Sequence, residues 1–172
     1  MAVSEVLELK QEVSKKDIDE LGHVNNESYM HWFLKSAYFH GTVAGWPVTD
    51  MVKNGAGWVV REHNIKYLAQ VRMGDPLKIR TWVETADKII SERRYELVNS
   101  ETGKLLCEGK TMWVWVNYKT GRPARIPQEL IDDFRNWKYK DEYAAAWEKY
   151  VKTGIIEIGG KVLLNRSAWA DK

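Results

Sequence analysis

The sequence predicts an α+β domain in which an antiparallel sheet wraps around one long helix. Two observations carry this. Met30, Phe33, Leu34 and Ala37 recur at helical spacing early in the chain, and four long strand-like runs separated by short turn sequences follow. One helix set against such a sheet is an α+β arrangement.

The elements follow in chain order. Residues 5 to 14 read as a first strand, with Val6, Leu7, Leu9 and Val13 among Glu, Lys and Gln in an imperfect alternation. Lys15 to Gly22 is polar and turn-like. Asn25 or Asn26 can cap the free N–H groups of a helix start, and Glu27 suits the positive end of its dipole. Gly41 and Gly45-Trp-Pro47 are expected to end that helix. Its other side carries His31 and Trp32, so it asks to be covered on most sides. Thr49 to Val52 reads as a short helical turn and Lys53 to Gly57 as a loop.

Strands then dominate. Trp58 to Tyr67 is the first. Gly74-Asp-Pro76 turns the chain into Leu77 to Thr85, where Leu77, Ile79, Thr81 and Val83 oppose Lys78, Arg80, Trp82 and Glu84. Ala86-Asp-Lys88 reverses it into Ile89 to Asn99. Ser100-Glu-Thr-Gly103 is a hairpin loop leading into Leu105 to Tyr118, whose end is apolar on both faces and should be buried twice. Pro127 opens a helix to about Lys138 with Leu130, Ile131 and Phe134 inward, and a second helix covers Glu142 to Tyr150. Gly154 to Leu164 is strand-like; it could extend the sheet, form a small hairpin or pack on a partner. A sheet curled around one helix leaves an apolar face or an edge to bury, which argues for a dimer at least.

Length and composition bound the function. The 172 residues fit one domain, taken as 1–172, and suffice for a core without disulfides or metals. Nine Trp and eight Tyr suit either a ligand pocket and interface or a Trp-rich core. The formal charge of +2, with no basic stripe, gives no support for nucleic acid as a partner. The lone Cys107 excludes an intramolecular disulfide and reads as a buried, inert thiol rather than a reactive one. No membrane span and no leader pattern is visible, and a cytoplasmic location is expected.

The chemistry concentrates before the helix. Asp19 precedes Gly22 by three residues and the Asn25-Asn26 helix start by six or seven. There a carboxylate can stand near free main-chain N–H groups able to hold an oxyanion, and can attack a carbonyl or activate a water. A plain turn or cap carboxylate is the other reading. Asp17 can orient the loop by accepting hydrogen bonds, with one of the two carboxylates buried and the other exposed. His23 reads either as a base or as a structural ring in a Gly turn. Arg93 and Arg94 point opposite ways from one strand, so at most one faces a given ligand; either could reach a phosphate, and a solvated strand face is the default reading. No His-x-x-x-His or Cys-His cluster suggests a metal, no Gly-x-Ser-x-Gly elbow a serine hydrolase, and no Gly-x-Gly-x-x-Gly a dinucleotide, so no cofactor is expected.

The block Asp19-Glu-Leu-Gly22-His23-Val24-Asn25-Asn26-Glu-Ser-Tyr29-Met-His-Trp32 resembles the Asp-x-x-Gly-His-Val-Asn-Asn-x-x-Tyr motif of the 4-hydroxybenzoyl-CoA thioesterase-like family of hotdog folds. Acyl-ACP thioesterases share its His-Val-Asn-Asn part. Ile65-Lys-Tyr67, Gly74-Asp-Pro-Leu77 and Arg125-Ile-Pro127 extend the resemblance over roughly residues 5 to 135, which leaves a C-terminal extension from about 136. The resemblance implies a hotdog thioesterase. Asp19 matches the catalytic carboxylate, the Asn26 backbone N–H the oxyanion donor, and Gly22 the turn between them. Tyr29 falls in the acyl pocket or helix packing, and Trp32, Trp58, Trp82 and Met30 are candidates for lining an acyl slot beside the helix. The substrate implied is an acyl-CoA or acyl carrier protein thioester, and the assembly a homodimer or homotetramer. The acyl-ACP branch often carries Asn or Gln where this chain has Leu21-Gly22, which favours the CoA-type pattern. The alternatives are a non-catalytic acyl-thioester-binding hotdog protein and a hotdog dehydratase or lyase, which would need a positioned His.

Overall fold

The computed structural model describes residues 1–167; the last five positions of the expected domain, 168–172, lie outside the described residues. The strands are β1 (Leu7–Gln11), β2 (Ala56–Tyr67), β3 (Leu77–Asp87), β4 (Ile90–Asn99), β5 (Leu105–Asn117), β6 (Ile155–Ile158) and β7 (Lys161–Asn165). The helices are α1 (Asn26–Val43), α2 (Val48–Asn54), α3 (Gln128–Asn136) and α4 (Glu142–Thr153), and a 3-10 turn spans Lys15–Asp17. The fold is a hotdog: β1 to β5 form one antiparallel sheet in the order β1-β3-β4-β5-β2, curled around α1.

Alternation decides which sheet face meets the helix. Leu77, Ile79, Thr81 and Val83 of β3 are buried while Lys78, Arg80, Trp82 and Glu84 between them are half-exposed on the other face. Trp82, a candidate for lining a slot beside the helix, does not do so, because its strand position points it outward. On β4 the inward set is Ser91, Arg93, Tyr95 and Leu97. Phe33 of α1 stacks on Tyr95 with ring centroids 4.8 Å apart. It also lies over Gly109, where an added Cβ would come within 3.2 Å of the ring.

The helix is covered on several sides, as its unusually apolar circumference demands. Its N-terminal half packs Tyr29, Trp32 and Phe33 into the main core with Leu77, Ile79, Tyr95, Leu97 and Trp113. Phe39 turns to a second cluster with Leu7, Leu9 and the α4 rings Tyr143, Trp147 and Tyr150. A third cluster joins Met51, Val83 and Trp115 to Leu130, Ile131 and Phe134 of α3. Gly41 does not end α1. The helix continues to Val43, because His40 and Thr42 on that turn are buried, and such packing outweighs the roughly 1 kcal/mol propensity penalty of an internal glycine. The first strand is shorter than its sequence signal, since only Leu7 to Gln11 has partners, Leu77 to Thr81, on β3. The tail resolves into a two-stranded hairpin, β6-β7, beside α4.

Candidate active site

The loop before α1 is built around two aspartates with different jobs. Asp17 is buried. Its Oδ2 accepts from the Ser14 N–H (2.9 Å) and hydroxyl (3.0 Å), a capping box on the 3-10 turn. Its Oδ1 accepts from the Ser28 hydroxyl at 2.8 Å. Its carbonyl accepts the Asn25 N–H at 2.7 Å. Asp17 thus ties the loop to the first turn of α1. Asn25 caps that helix, its Oδ1 accepting the Ser28 N–H at 2.9 Å.

Asp19 is exposed. Its Oδ1 accepts two main-chain N–H groups, from Leu21 (2.9 Å) and His23 (3.1 Å). The backbone closes the same turn: the Asp19 N–H donates to the His23 carbonyl at 2.7 Å and the Gly22 N–H to the Asp19 carbonyl at 3.1 Å. Gly22 has φ +79°, a left-handed conformation that L side chains rarely adopt. The ladder continues in a bridge between Ile18 and Val24. One carboxylate oxygen is therefore fixed in direction, and Oδ2 has no partner among the described residues.

Behind this loop lies an aromatic wall. Tyr29 is buried edge-on to Tyr67 (5.1 Å) and tilted against Trp32 (5.5 Å). The Tyr67 hydroxyl donates to the Asn26 carbonyl at 3.3 Å, joining the end of β2 to the start of α1. Burial pushes the Tyr29 hydroxyl and the neighbouring Cys107 thiol each up to about 12, so both stay protonated at neutral pH. The structure thus gathers Asp19, Gly22, His23 and Asn26 into one turn with Tyr29 and Trp32 behind it. The His23 contacts to Asp19 run through its backbone.

Arg93 and Arg94 are not part of this turn. Arg93 is buried at 5% exposure against His40 and Thr81. His40 stands fourteen residues along α1 from Asn26, about 21 Å of helix. Arg94 is exposed and paired with Glu92. Three residues that hold this region together carry no role in the sequence reading: Ser14, and Ser28 and Tyr67, which are named there only within motif runs. The Ser14-Lys-Lys-Asp17 spacing is a capping-box signal that was available. No group of three or more His, Cys, Asp or Glu among the described residues is placed to hold a metal, and none of their helices is long and apolar enough to cross a membrane.

Residues 13–137 match the profile of the thioesterase-like superfamily. A palmitoyl-acyl carrier protein thioesterase of Cuphea hookeriana chloroplasts is 27% identical over 113 residues, 62% of this chain and 27% of that protein. The chain thus spans about a quarter of its length. A chloroplastic acyl-acyl carrier protein thioesterase of Arabidopsis thaliana is 24% identical over 143 residues, 81% of this chain and 73% of that one. Among solved structures, a 1,4-dihydroxy-2-naphthoyl-CoA thioesterase from Synechocystis superposes with a TM-score of 0.72 at 16% identity, covering 79% of this chain and all (100%) of that one. A DHNA-CoA thioesterase from Staphylococcus aureus gives 0.64 at 25% identity, over 74% and 83%.

Proposed function

The chain belongs to the thioesterase-like superfamily, and on that premise we propose that it hydrolyses an acyl thioester of coenzyme A or acyl carrier protein to a carboxylic acid and a thiol. The observation that carries the reading is Asp19, whose carboxylate is aimed by two main-chain N–H groups at one oxygen and has the other open. The similarity to thioesterases of both carrier types supports either carrier.

In this reading the thioester carbonyl sits at the start of α1, its oxygen on the Asn26 N–H, where the helix dipole favours developing negative charge. Asp19 either attacks the carbonyl carbon, giving an anhydride that water then opens, or takes a proton from the attacking water. In both routes the C–S bond breaks and the thiolate leaves with the electron pair. Gly22 and His23 hold the turn that presents Asp19. Tyr29 and Trp32 form the apolar wall beside the acyl group. Arg93 and Arg94, weighed above as phosphate ligands, have no part in this reading of the turn. No cofactor is needed.

A homodimer belongs to the proposal. β2 is an edge strand of the sheet and exposes Val59, Val60 and Tyr67. An open edge of this length, its exposed Val59, Val60 and Tyr67 interleaved with Arg61, Glu62 and Lys66, is a template for pairing with a second copy. Because Tyr67 reaches Asn26, a partner along β2 would stand beside the Asp19 turn. We read residues 1–172 as one domain whose extension from about 136 adds α4 and the hairpin, and place it in the cytoplasm, where the single thiol of Cys107 would stay reduced. The test is thiol release from a panel of acyl-CoA and acyl carrier protein thioesters. Turnover supports the reading, and binding without turnover contradicts it. Label found in Asp19 after single turnover in ¹⁸O-water then marks the anhydride route, since water oxygen enters that carboxylate only by attack on the aspartyl carbonyl of the anhydride.

A further inference from the structure

A second site lies at the other end of the helix. We propose that the cavity enclosed by the C-terminal half of α1, β4 and α3 binds a short aliphatic carboxylate, with the carboxylate held by Arg93.

Arg93 is the reason. Its Nη1 donates to His40 Nδ1 (3.0 Å) and Thr81 Oγ1 (3.1 Å), and its guanidinium lies 5.9 Å from the Phe134 ring centre. None of these is an anion. His40 accepts through Nδ1, so its proton is on Nε2, and burial, then the Arg93 charge, hold its pKa well below the ordinary histidine value. No carboxylate among the described residues lies within ion-pair distance of Arg93. Nε and Nη2 have no partner among the described residues. Together those two nitrogens carry three of the five guanidinium N–H donors, the side of the fork that takes a carboxylate with two parallel hydrogen bonds. A buried cation left in this state is costly unless something pairs with it.

The space beside it fits such a ligand. Arg93 lines a cavity of about 110 Å³ whose other walls include Trp46, Met51, Trp58, Trp113, Leu130 and Phe134. Several polar groups in the wall are already committed: the Trp46 indole donates to Asp133 (2.8 Å), the Tyr118 hydroxyl to the Trp58 carbonyl (3.1 Å) and the Ser91 hydroxyl to the Thr85 carbonyl (2.8 Å). A cavity of ~150 Å³ holds benzene, so this one has room for a ligand of about four to six heavy atoms beside the guanidinium. Val3, Val48 and Ala86, each half-buried, line its outer part. The nearest wall residue on α1, Ala37, is eleven residues from Asn26, about 16 Å of helix. The site is thus distinct from the Asp19 turn and does not depend on thioester hydrolysis.

Butanoate, with six heavy atoms, is the probe. Titrated into the full chain and followed by tryptophan fluorescence and calorimetry, it should bind saturably at one site. The affinity should be at least ~10-fold higher than for butan-1-ol, which has the same apolar body and no charge. Arg93→Met should reduce butanoate binding to the level of the alcohol. Ala86→Phe, which fills the outer part and leaves Arg93 in place, should abolish it, so the test survives a misfolded Arg93 variant. Butanoate that fails to bind, binds no better than the alcohol, or binds both variants unchanged would overturn the site.

Discussion

The buried carboxylate of Asp17 lies 2.8 Å from the Ser28 hydroxyl, and that contact clamps the turn carrying Asp19 onto the first turn of α1. Removing it with Asp17→Ala leaves the Ser14 N–H and hydroxyl without their acceptor and the Ser28 hydroxyl with only Asn25 Oδ1, at 3.0 Å. Loss of hydrogen bonds to a buried charged group should cost about 2–4 kcal/mol, read as a lower denaturation midpoint in urea at unchanged slope.

The turn itself should be sensitive to its glycine. At φ +79° an alanine would meet no neighbour, so the effect of Gly22→Ala is purely conformational. The expected loss is about 1–2 kcal/mol of stability, with turnover falling further because the Asp19 hydrogen bonds depend on that conformation. Wild-type stability and turnover in Gly22→Ala would show that the left-handed turn is not needed.

Acid should weaken the fold through His40. Its ring is fully buried and resists protonation, while in the unfolded chain it takes a proton near pH 6.5. The unfolded state then binds more protons, so the stability it contributes is complete above about pH 6.5 and is lost as pH falls, by about 1.4 kcal/mol per unit until the buried ring protonates. Unfolding free energies measured between pH 7 and pH 5 should lose this share of their slope in His40→Gln, which keeps an acceptor for Arg93.

Much of the fold was legible because its signals are local. The β3 alternation from Leu77 to Val83 left one register for the helix-facing side, and the doubly apolar end of β5 is buried on both faces from Trp113 to Val116. The tail reads as strand-like with three possible placements, and Gly159-Gly160 between apolar runs is the hairpin signal within it; both residues have positive φ, as a two-residue turn requires. At the site, the Asp19-to-Asn26 spacing was readable because one turn holds it. The His40–Arg93 contact was not, because it joins residues 53 positions apart and depends on how α1 lies across β4.

Pairing through β2 carries its own expectation. Val59→Lys with Val60→Lys places like charges on both sides of a two-fold edge, where opposed cations repel. Light scattering should report a monomer with unchanged circular dichroism. Turnover should fall too, since the edge adjoins the Asp19 turn through Tyr67 and Asn26. A dimer that survives both lysines would place the interface elsewhere.

Asp19→Asn tests the central claim most directly. The amide oxygen can still accept the Leu21 and His23 N–H groups, so the exposed turn should keep its shape, with stability within about 0.5 kcal/mol of the parent. Only the charge is lost. Measured on the best acyl thioester of the panel, kcat/KM should drop at least about 100-fold. Turnover that persists in a folded Asp19→Asn protein would mean that this carboxylate only shapes the loop and that the thioester is cleaved by another group.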